Sequence, residues 1–166
     1  LHGTTRACLV LLDKATPNQS PNKPAIDMGC GTGILSIGAA KLGWSPVYAV
    51  DLDSEAVRAT TENLGINNTD AQVSAEQGDL TKWSPPTPAP LVMVNILAPL
   101  LIANADRIIK WIAPEGDLIL SGILTTQFED VCKAYADRGL LLVERCTIDK
   151  WTSGWFNTSG KPRLKS

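Results

Sequence analysis

The sequence is short of several things, and each shortage removes a class of protein. No apolar run is long enough to cross a bilayer, and no stretch reads as a signal peptide or lipid anchor, so no membrane partner is expected. Neither charge is in excess: 15 Lys and Arg stand against 17 Asp and Glu. That balance gives no electrostatic reason to expect direct binding to nucleic acid. There is no Cys-x-x-Cys. The four cysteines, Cys8, Cys30, Cys132 and Cys146, stand far apart, which argues against a zinc site or a redox pair. Four separate thiols in or near a core suit a reducing cytosol, so a cytoplasmic location is expected. There is one histidine, His2, and no internal repeat. The 166 residues suit one domain with a substantial core. The first residue is Leu1, not Met, so the chain reads as a fragment with something missing upstream.

What the sequence does have is concentrated in Ala25-Ile26-Asp27-Met28-Gly29-Cys30-Gly31-Thr32-Gly33-Ile34. An apolar run ends, three glycines follow on alternate positions, and a helical pattern starts at once. This predicts strand, tight turn and helix N-terminus. Glycine permits positive φ in the turn and removes the Cβ that would hold a ligand away from the backbone. The helix N-terminus offers free N–H groups and a positive dipole end, which favour an anionic group. Dinucleotide loops read G-x-G-x-x-G, but Ile34 occupies the place of their third glycine, which here is Gly33. The pattern Asp-x-Gly-x-Gly-x-Gly resembles motif I of S-adenosylmethionine-dependent methyltransferases with a Rossmann-like sheet.

Along the chain, residues 1–14 read as a loop and a helix capped by Thr4 or Thr5, with Ala7, Leu9, Val10, Leu11 and Leu12 apolar. Residues 15–24 read as a loop, 25–28 as a strand and 34–42 as a helix that Gly43 ends. A second strand over 46–51 precedes a helix started by Asp53, Ser54 and Glu55, carrying Val57, Thr61 and Leu64 and closed by Gly65. A third strand is expected near 71–75, a stiff proline-rich loop over 84–90 and a fourth strand over 91–96. Leu101, Ala105, Ile108 and Ile112 mark one amphipathic helix, stopped by Pro114 and Gly116 before a strand at 118–120. Thr126 and Glu129 fit a capping box for a helix buried through Phe128, Val131, Cys132 and Tyr135. Residues 140–148 and 150–158 read as a closing antiparallel pair, and 160–166 as a loose basic tail. The fold class is therefore α/β: a three-layered, doubly wound, mostly parallel sheet with a C-terminal antiparallel hairpin. One domain is expected over 1–159.

In such sheets ligands bind beyond the carboxyl ends of the strands, near the switch in strand order. The glycine loop, Asp51, Asp79 and Asn95 all fall at strand ends. Asp51 follows the glycines at the interval where nucleotide-binding folds place an acid for ribose hydroxyls. Asp27 either binds loop N–H groups or a ligand ammonium, or is structural. Asp79 either meets a ligand or makes a local turn bond. Asn95 ends an apolar strand, where an amide is costly unless satisfied; it either faces a ligand or caps a helix before Pro99. His2 has either an incidental place beside the chain end or a place in the site. The five dispersed tryptophans read as packing.

Taken together, His2-Gly3-Thr4-Thr5, Asp27 to Leu35, Val50-Asp51, Asn95-Ile96-Leu97-Ala98 and Ser121-Gly122-Ile123-Leu124 resemble the ribosomal protein L11 methyltransferase family. The resemblance covers nearly the whole chain, with Gly3 where the family has proline. It implies S-adenosylmethionine as the donor, held by Thr5, Gly29, Asp51 and Asn95, with Asp27, Gly31 and Gly33 in the loop and Asp79 near the adenine amino group. It implies ribosomal protein L11 as partner, amines of lysine side chains and an α-amino group as acceptors, and an N-terminal substrate-recognition domain absent from this chain. Asn95 becomes the candidate for orienting the amine; no general base stands out. Three rivals remain: a nicotinamide-dependent oxidoreductase, a non-catalytic cofactor-binding domain, and a methyltransferase acting on another protein lysine or a small amine.

Overall fold

The computed structural model describes residues 3–19 and 21–163. Helix α1 (Gly3–Ala15) leads into alternating β1 (Ala25–Met28), α2 (Ile34–Lys41), β2 (Val47–Asp51), α3 (Ser54–Ile66) and β3 (Val73–Gln77). Then come β4 (Ala89–Asn95), α4 (Ala98–Ala103), α5 (Ala105–Ile109), β5 (Ile112–Leu124), α6 (Phe128–Ala136), β6 (Leu141–Ile148) and β7 (Trp151–Asn157). A turn of 3-10 helix, Thr125–Gln127, joins β5 to α6.

The seven strands lie in the order β3-β2-β1-β4-β5-β7-β6. The first five are parallel; β7 runs antiparallel to both β5 and β6. From β1 the chain winds outward through β2 and β3, then returns to lay β4 on the other side of β1. The order of winding therefore reverses between β1 and β4, which parts the loops at their carboxyl ends.

Alternation along the strands builds the layers. Ala25 and Asp27 of β1 face α1, α2 and α3, where Cys8, Leu11, Leu12, Leu35 and Leu64 are buried. Ile26 and Met28 face the opposite layer, with Leu101, Ile108, Phe128, Val131 and Tyr135 from α4, α5 and α6. Both faces of the central strands are covered, which is why they are mostly apolar, Asp27 of β1 being a buried exception. No helix among the described residues is long and apolar enough to cross a membrane.

The three-layer sheet, the parallel order and the closing hairpin agree with expectation. Several local expectations do not. Helix α1 already begins at Gly3, so Thr4 and Thr5 lie inside it rather than capping it, and Val10 is exposed while Cys8 is buried. Thr60, not Thr61, faces the core, and α3 runs past Gly65 to Ile66. The proline-rich loop ends earlier, because Ala89 N–H donates to the Trp111 carbonyl and starts β4. The helix expected across 101–112 is two short ones, parted at Asn104, whose φ of −109° and ψ of 17° are not helical. Strand β5 takes in Ile112, and its pairing with β4 jumps from Ala89↔Ile112 to Leu91↔Asp117. The N-cap residue of α6 is Gln127, not Thr126, and its side chain makes no cap bond. The segment after β7 is tied down as far as Arg163, which pairs with Asp117 at 3.5 Å, while Asn157 donates to the Lys161 carbonyl.

Candidate functional site

The glycine turn leaves β1 with three positive φ values: 81° at Gly29, 56° at Gly31 and 86° at Gly33. Their surroundings differ. A Cβ at Gly29 would stand 2.4 Å from the Asn95 carbonyl oxygen, so this glycine lets β1 and β4 close on each other. A Cβ at Gly33 would stand 2.8 Å from the Thr60 γ-methyl. A Cβ at Gly31 would meet nothing within 4 Å, so the turn presents bare backbone to open space there.

The loop spends many of its N–H groups internally. Those of Gly29 and Cys30 donate to the Val50 carbonyl at 2.8 and 3.1 Å, and that of Gly33 to Cys30. Gly31 N–H donates to Asp51 Oδ2 at 2.9 Å, and Asp53 N–H donates to Oδ1 at 3.0 Å. Asp51 thus stands against the glycine turn. Asp53, the N-cap of α3, accepts from Glu55 N–H at 2.9 Å and takes the capping role that Asp51 would otherwise have.

Asp27 is fully buried and belongs to the scaffold. Gly33 has no side chain with which to cap α2, and Asp27 supplies the missing acceptor from β1. Its Oδ2 takes the Ser36 hydroxyl at 2.7 Å, and it also accepts from the Ser36 N–H. Its Oδ1 has no partner among the described residues. Burial pushes its pKa up to about 6, against the Ser36 hydrogen bonds that pull it down; the charge of Asp51 adds a smaller upward push. The N–H groups of Gly29, Cys30, Gly31 and Gly33 go to Val50, Asp51 and Cys30, and the bonds that Asp27 makes run to Ser36.

Asp79 makes the local turn: its Oδ1 accepts from Thr81 N–H at 2.9 Å and from the Thr81 hydroxyl at 2.8 Å. These bonds hold its pKa below the usual carboxylate range. It remains close to the site, because Gly78 N–H donates to the Asp51 carbonyl at 2.9 Å.

Asn95 ends β4 beside the glycine turn. It is not a helix cap, since Leu97 is the N-cap residue of α4. Its side chain lines a cavity of about 440 Å³ with Thr4, Thr5, Ile96, Leu97, Gly122 and Trp151. Gly122, with φ of 81°, lies where a Cβ would meet the Ile96 carbonyl at 2.7 Å and Asn95 Oδ1 at 3.1 Å. Two helical threonines, a strand-end amide, an apolar ridge and an indole therefore converge across the switch point from Asp51. The structure brings Thr5, Gly29, Gly31, Gly33, Asp51, Asp79 and Asn95 to one end of the sheet; His2 lies outside the described residues.

Sequence reasoning missed Trp151, Thr60 and Asn63. Trp151 was read as hairpin packing and lines the cavity. The Thr60 hydroxyl donates to the Gly31 carbonyl at 2.9 Å, and Asn63 Nδ2 to the Thr32 carbonyl at 2.8 Å. The one available signal was a polar pair at i, i+3 on a helix following the second strand. A second cavity, about 380 Å³, opens at the opposite ends of the strands, lined by Lys23, Trp44, Pro90 and Asp117 among others. It is remote from the glycine turn.

A family model and the curated relatives agree on one family. A family model described as ribosomal protein L11 methyltransferase matches residues 1–158. A ribosomal protein L11 methyltransferase from Rhodopseudomonas palustris is 38% identical over 157 residues, covering 92% of this chain and 52% of the relative. One from Citrifermentans bemidjiense is 42% identical over 154 residues, covering 91% and 49%. The chain spans about half the length of these curated relatives. Among solved structures, a ribosomal protein L11 methylase from Lactobacillus delbrueckii subsp. bulgaricus superposes with a TM-score of 0.84 at 25% identity, covering 95% of this chain and 79% of that one.

Proposed function

The chain belongs to the ribosomal protein L11 methyltransferase family, and on that premise we propose that its cleft binds S-adenosylmethionine and transfers the methyl group to amines of ribosomal protein L11. Lysine side chains and an α-amino group are the acceptors this reading names. The observation that carries it is the 2.9 Å bond between Gly31 N–H and Asp51 Oδ2, which makes the glycine turn and the sugar-binding acid one unit at the switch point.

The residues fit such a donor. A carboxylate has about four acceptor positions, and Asp51 spends one on Gly31 and one on Asp53, leaving capacity for two vicinal hydroxyls. The open face of Gly31 admits close approach of the ligand. Leu52, 67% exposed, offers an apolar side for a flat base. Both Asp79 bonds fall on Oδ1, which leaves Oδ2 for an amino group. When bound, the donor supplies an electrophilic methyl group on a cationic sulfur.

The chain's own residues prepare the acceptor. None of the seven described residues lining the Asn95 cavity carries a side chain that ionises near neutral pH. A free lysine titrates near pH ~10.4, yet only a neutral amine has a lone pair to give. Ile96, Leu97 and Trp151 disfavour the charged ammonium by desolvation, and a nearby sulfonium adds to the effect. Asn95 Oδ1 accepts from an amine N–H and turns the lone pair into line. Alignment of this kind is worth up to ~7–11 kcal/mol, so in this reading holding and drying the amine supply much of the acceleration.

Calorimetry with S-adenosylhomocysteine tests the donor half; no heat would end the proposal. Mass spectrometry of ribosomal protein L11 after incubation with the chain and S-adenosylmethionine tests the acceptor half. Asn95→Ala should lower turnover by at least about tenfold while the urea midpoint moves little. Unchanged turnover would remove Asn95 from the chemistry.

A further inference from the structure

We infer that Thr60, assisted by Asn63, is a positioning residue for the donor: from α3 it holds the Gly31 carbonyl and, across that residue, the N–H that binds the Asp51 carboxylate. The inference rests on the reading of the glycine turn and Asp51 as the donor site, and it assigns work to two residues outside the glycine motif.

Thr60 is fully buried against the turn. Its hydroxyl donates to the Gly31 carbonyl at 2.9 Å and lies 3.4 Å from Cys30 Sγ. The threonine proton is committed to the carbonyl, so the thiol is the donor in the second contact. Burial pushes the Cys30 thiol up to about 12, which keeps that proton in place. A chain of donors thus runs from Cys30 S–H to Thr60 O–H to the Gly31 carbonyl. At its other end Gly31 donates to Asp51 Oδ2 at 2.9 Å. Gly31 is pinned between the middle of α3 and the tip of β2.

Asn63 stands one turn further along α3 and donates to the next carbonyl, that of Thr32, at 2.8 Å. Consecutive loop carbonyls are both drawn to α3. In a trans peptide the following N–H points the opposite way, so the Thr32 N–H is turned away from the helix. Such anchoring matters because glycines impose almost no conformation of their own. A turn with three of them owes its shape to its neighbours. The γ-methyl of Thr60 has a separate task, sitting 2.8 Å from where a Cβ at Gly33 would be and setting how near α3 comes.

Hydroxyl and methyl can be removed separately. Thr60→Val keeps the shape and deletes the donor; Thr60→Ser keeps the donor and deletes the methyl. Dissociation constants would be measured by calorimetry for S-adenosylhomocysteine and for 5′-methylthioadenosine, which keeps the ribose and lacks the amino-acid end. One hydrogen bond is worth a factor of about 3 to 10. Thr60→Val should weaken both ligands by about that factor, Thr60→Ser should stay within about twofold of the parent, and Asn63→Ala should weaken both by about two- to fivefold. Equal loss for the two ligands marks action through Asp51. If Thr60→Val loses stability in urea but binds both ligands as the parent does, Thr60 is only packing and the inference falls. Should Thr60→Val fail to fold, Asn63→Ala decides alone: parental affinity there overturns it. Absence of heat with the parent chain would instead condemn the donor-site reading itself, and this inference with it.

Discussion

Gly29, Gly31 and Gly33 look equivalent in sequence and differ in what surrounds them. Gly29→Ala drives a Cβ to 2.4 Å from a backbone oxygen that cannot swing away. It should cost more than about 2 kcal/mol of stability. Gly31→Ala meets no atom within 4 Å and carries only the strain of a φ of 56°, about 1 kcal/mol. It should nevertheless weaken S-adenosylhomocysteine by at least about tenfold, because its Cβ enters the open space in which the proposed donor would lie. Urea titration and calorimetry on the two variants should therefore rank them in opposite order. Asp27 supplies the second residue-scale prediction. Its folded pKa, about 6, lies above the ordinary aspartate value of 3.8, so the folded state holds the proton more tightly than the unfolded chain. The resulting stability is full below pH 3.8 and is lost as pH rises through about 6. Asp27→Asn lacks this dependence. Between pH 5 and pH 8 the parent should lose about 1 to 2 kcal/mol relative to the variant, read as the difference between urea-unfolding free energies at the two pH values. The sequence marked all four positions. It did not separate the glycine that faces open space from the one that faces backbone, because positive φ is common to both.

At the scale of elements, α1 joins the cavity to the core. Thr4 and Thr5 line the cavity from its first turn, while Leu11 and Leu12, fully buried, fasten it over the sheet. Leu11→Ala should cost about 2–5 kcal/mol, measured by urea unfolding. Most element types were legible from periodicity: short apolar strands against helical repeats. Misread boundaries occurred where a distant partner supplied a bond that no local signal announces. Ala89 joins β4 through the Trp111 carbonyl. Thr125, beside the expected capping box, contacts Thr152 hydroxyl-to-hydroxyl at 2.9 Å, on the closing hairpin. The break at Asn104 is held by its own side chain, which donates to the Leu100 carbonyl at 2.9 Å. An asparagine within an apolar repeat was a weak hint of that break.

The whole molecule places the two halves of its cleft on different winding directions. The outward run through β2 and β3 carries Asp51 and Asp79; the return through β4 and β5 carries Asn95 and Gly122. A ligand spanning both would bind the assembled sheet and not the unfolded chain. At a free concentration of 100 times its dissociation constant, S-adenosylhomocysteine should raise unfolding stability by about 2.7 kcal/mol. The urea midpoint should rise with little change in slope. A slope change would mean that ligand orders part of the chain as well.

Local chemistry was enough to determine the α/β alternation, the turn after β1 and the residues at strand ends, since these depend on near neighbours in the chain. Membership in a methyltransferase family was legible for the same reason, because its motifs are short and sit at those ends. Only the folded molecule decided that Asp27 serves a helix, that Trp151 walls the cavity, and that Thr60 and Asn63 hold the loop. Asp27 and Ser36 are nine residues apart, but the others depend on which strands and helices become neighbours and on closing loops of tens of residues. That information lies in the packing of two apolar faces against one sheet, not in any stretch of the sequence.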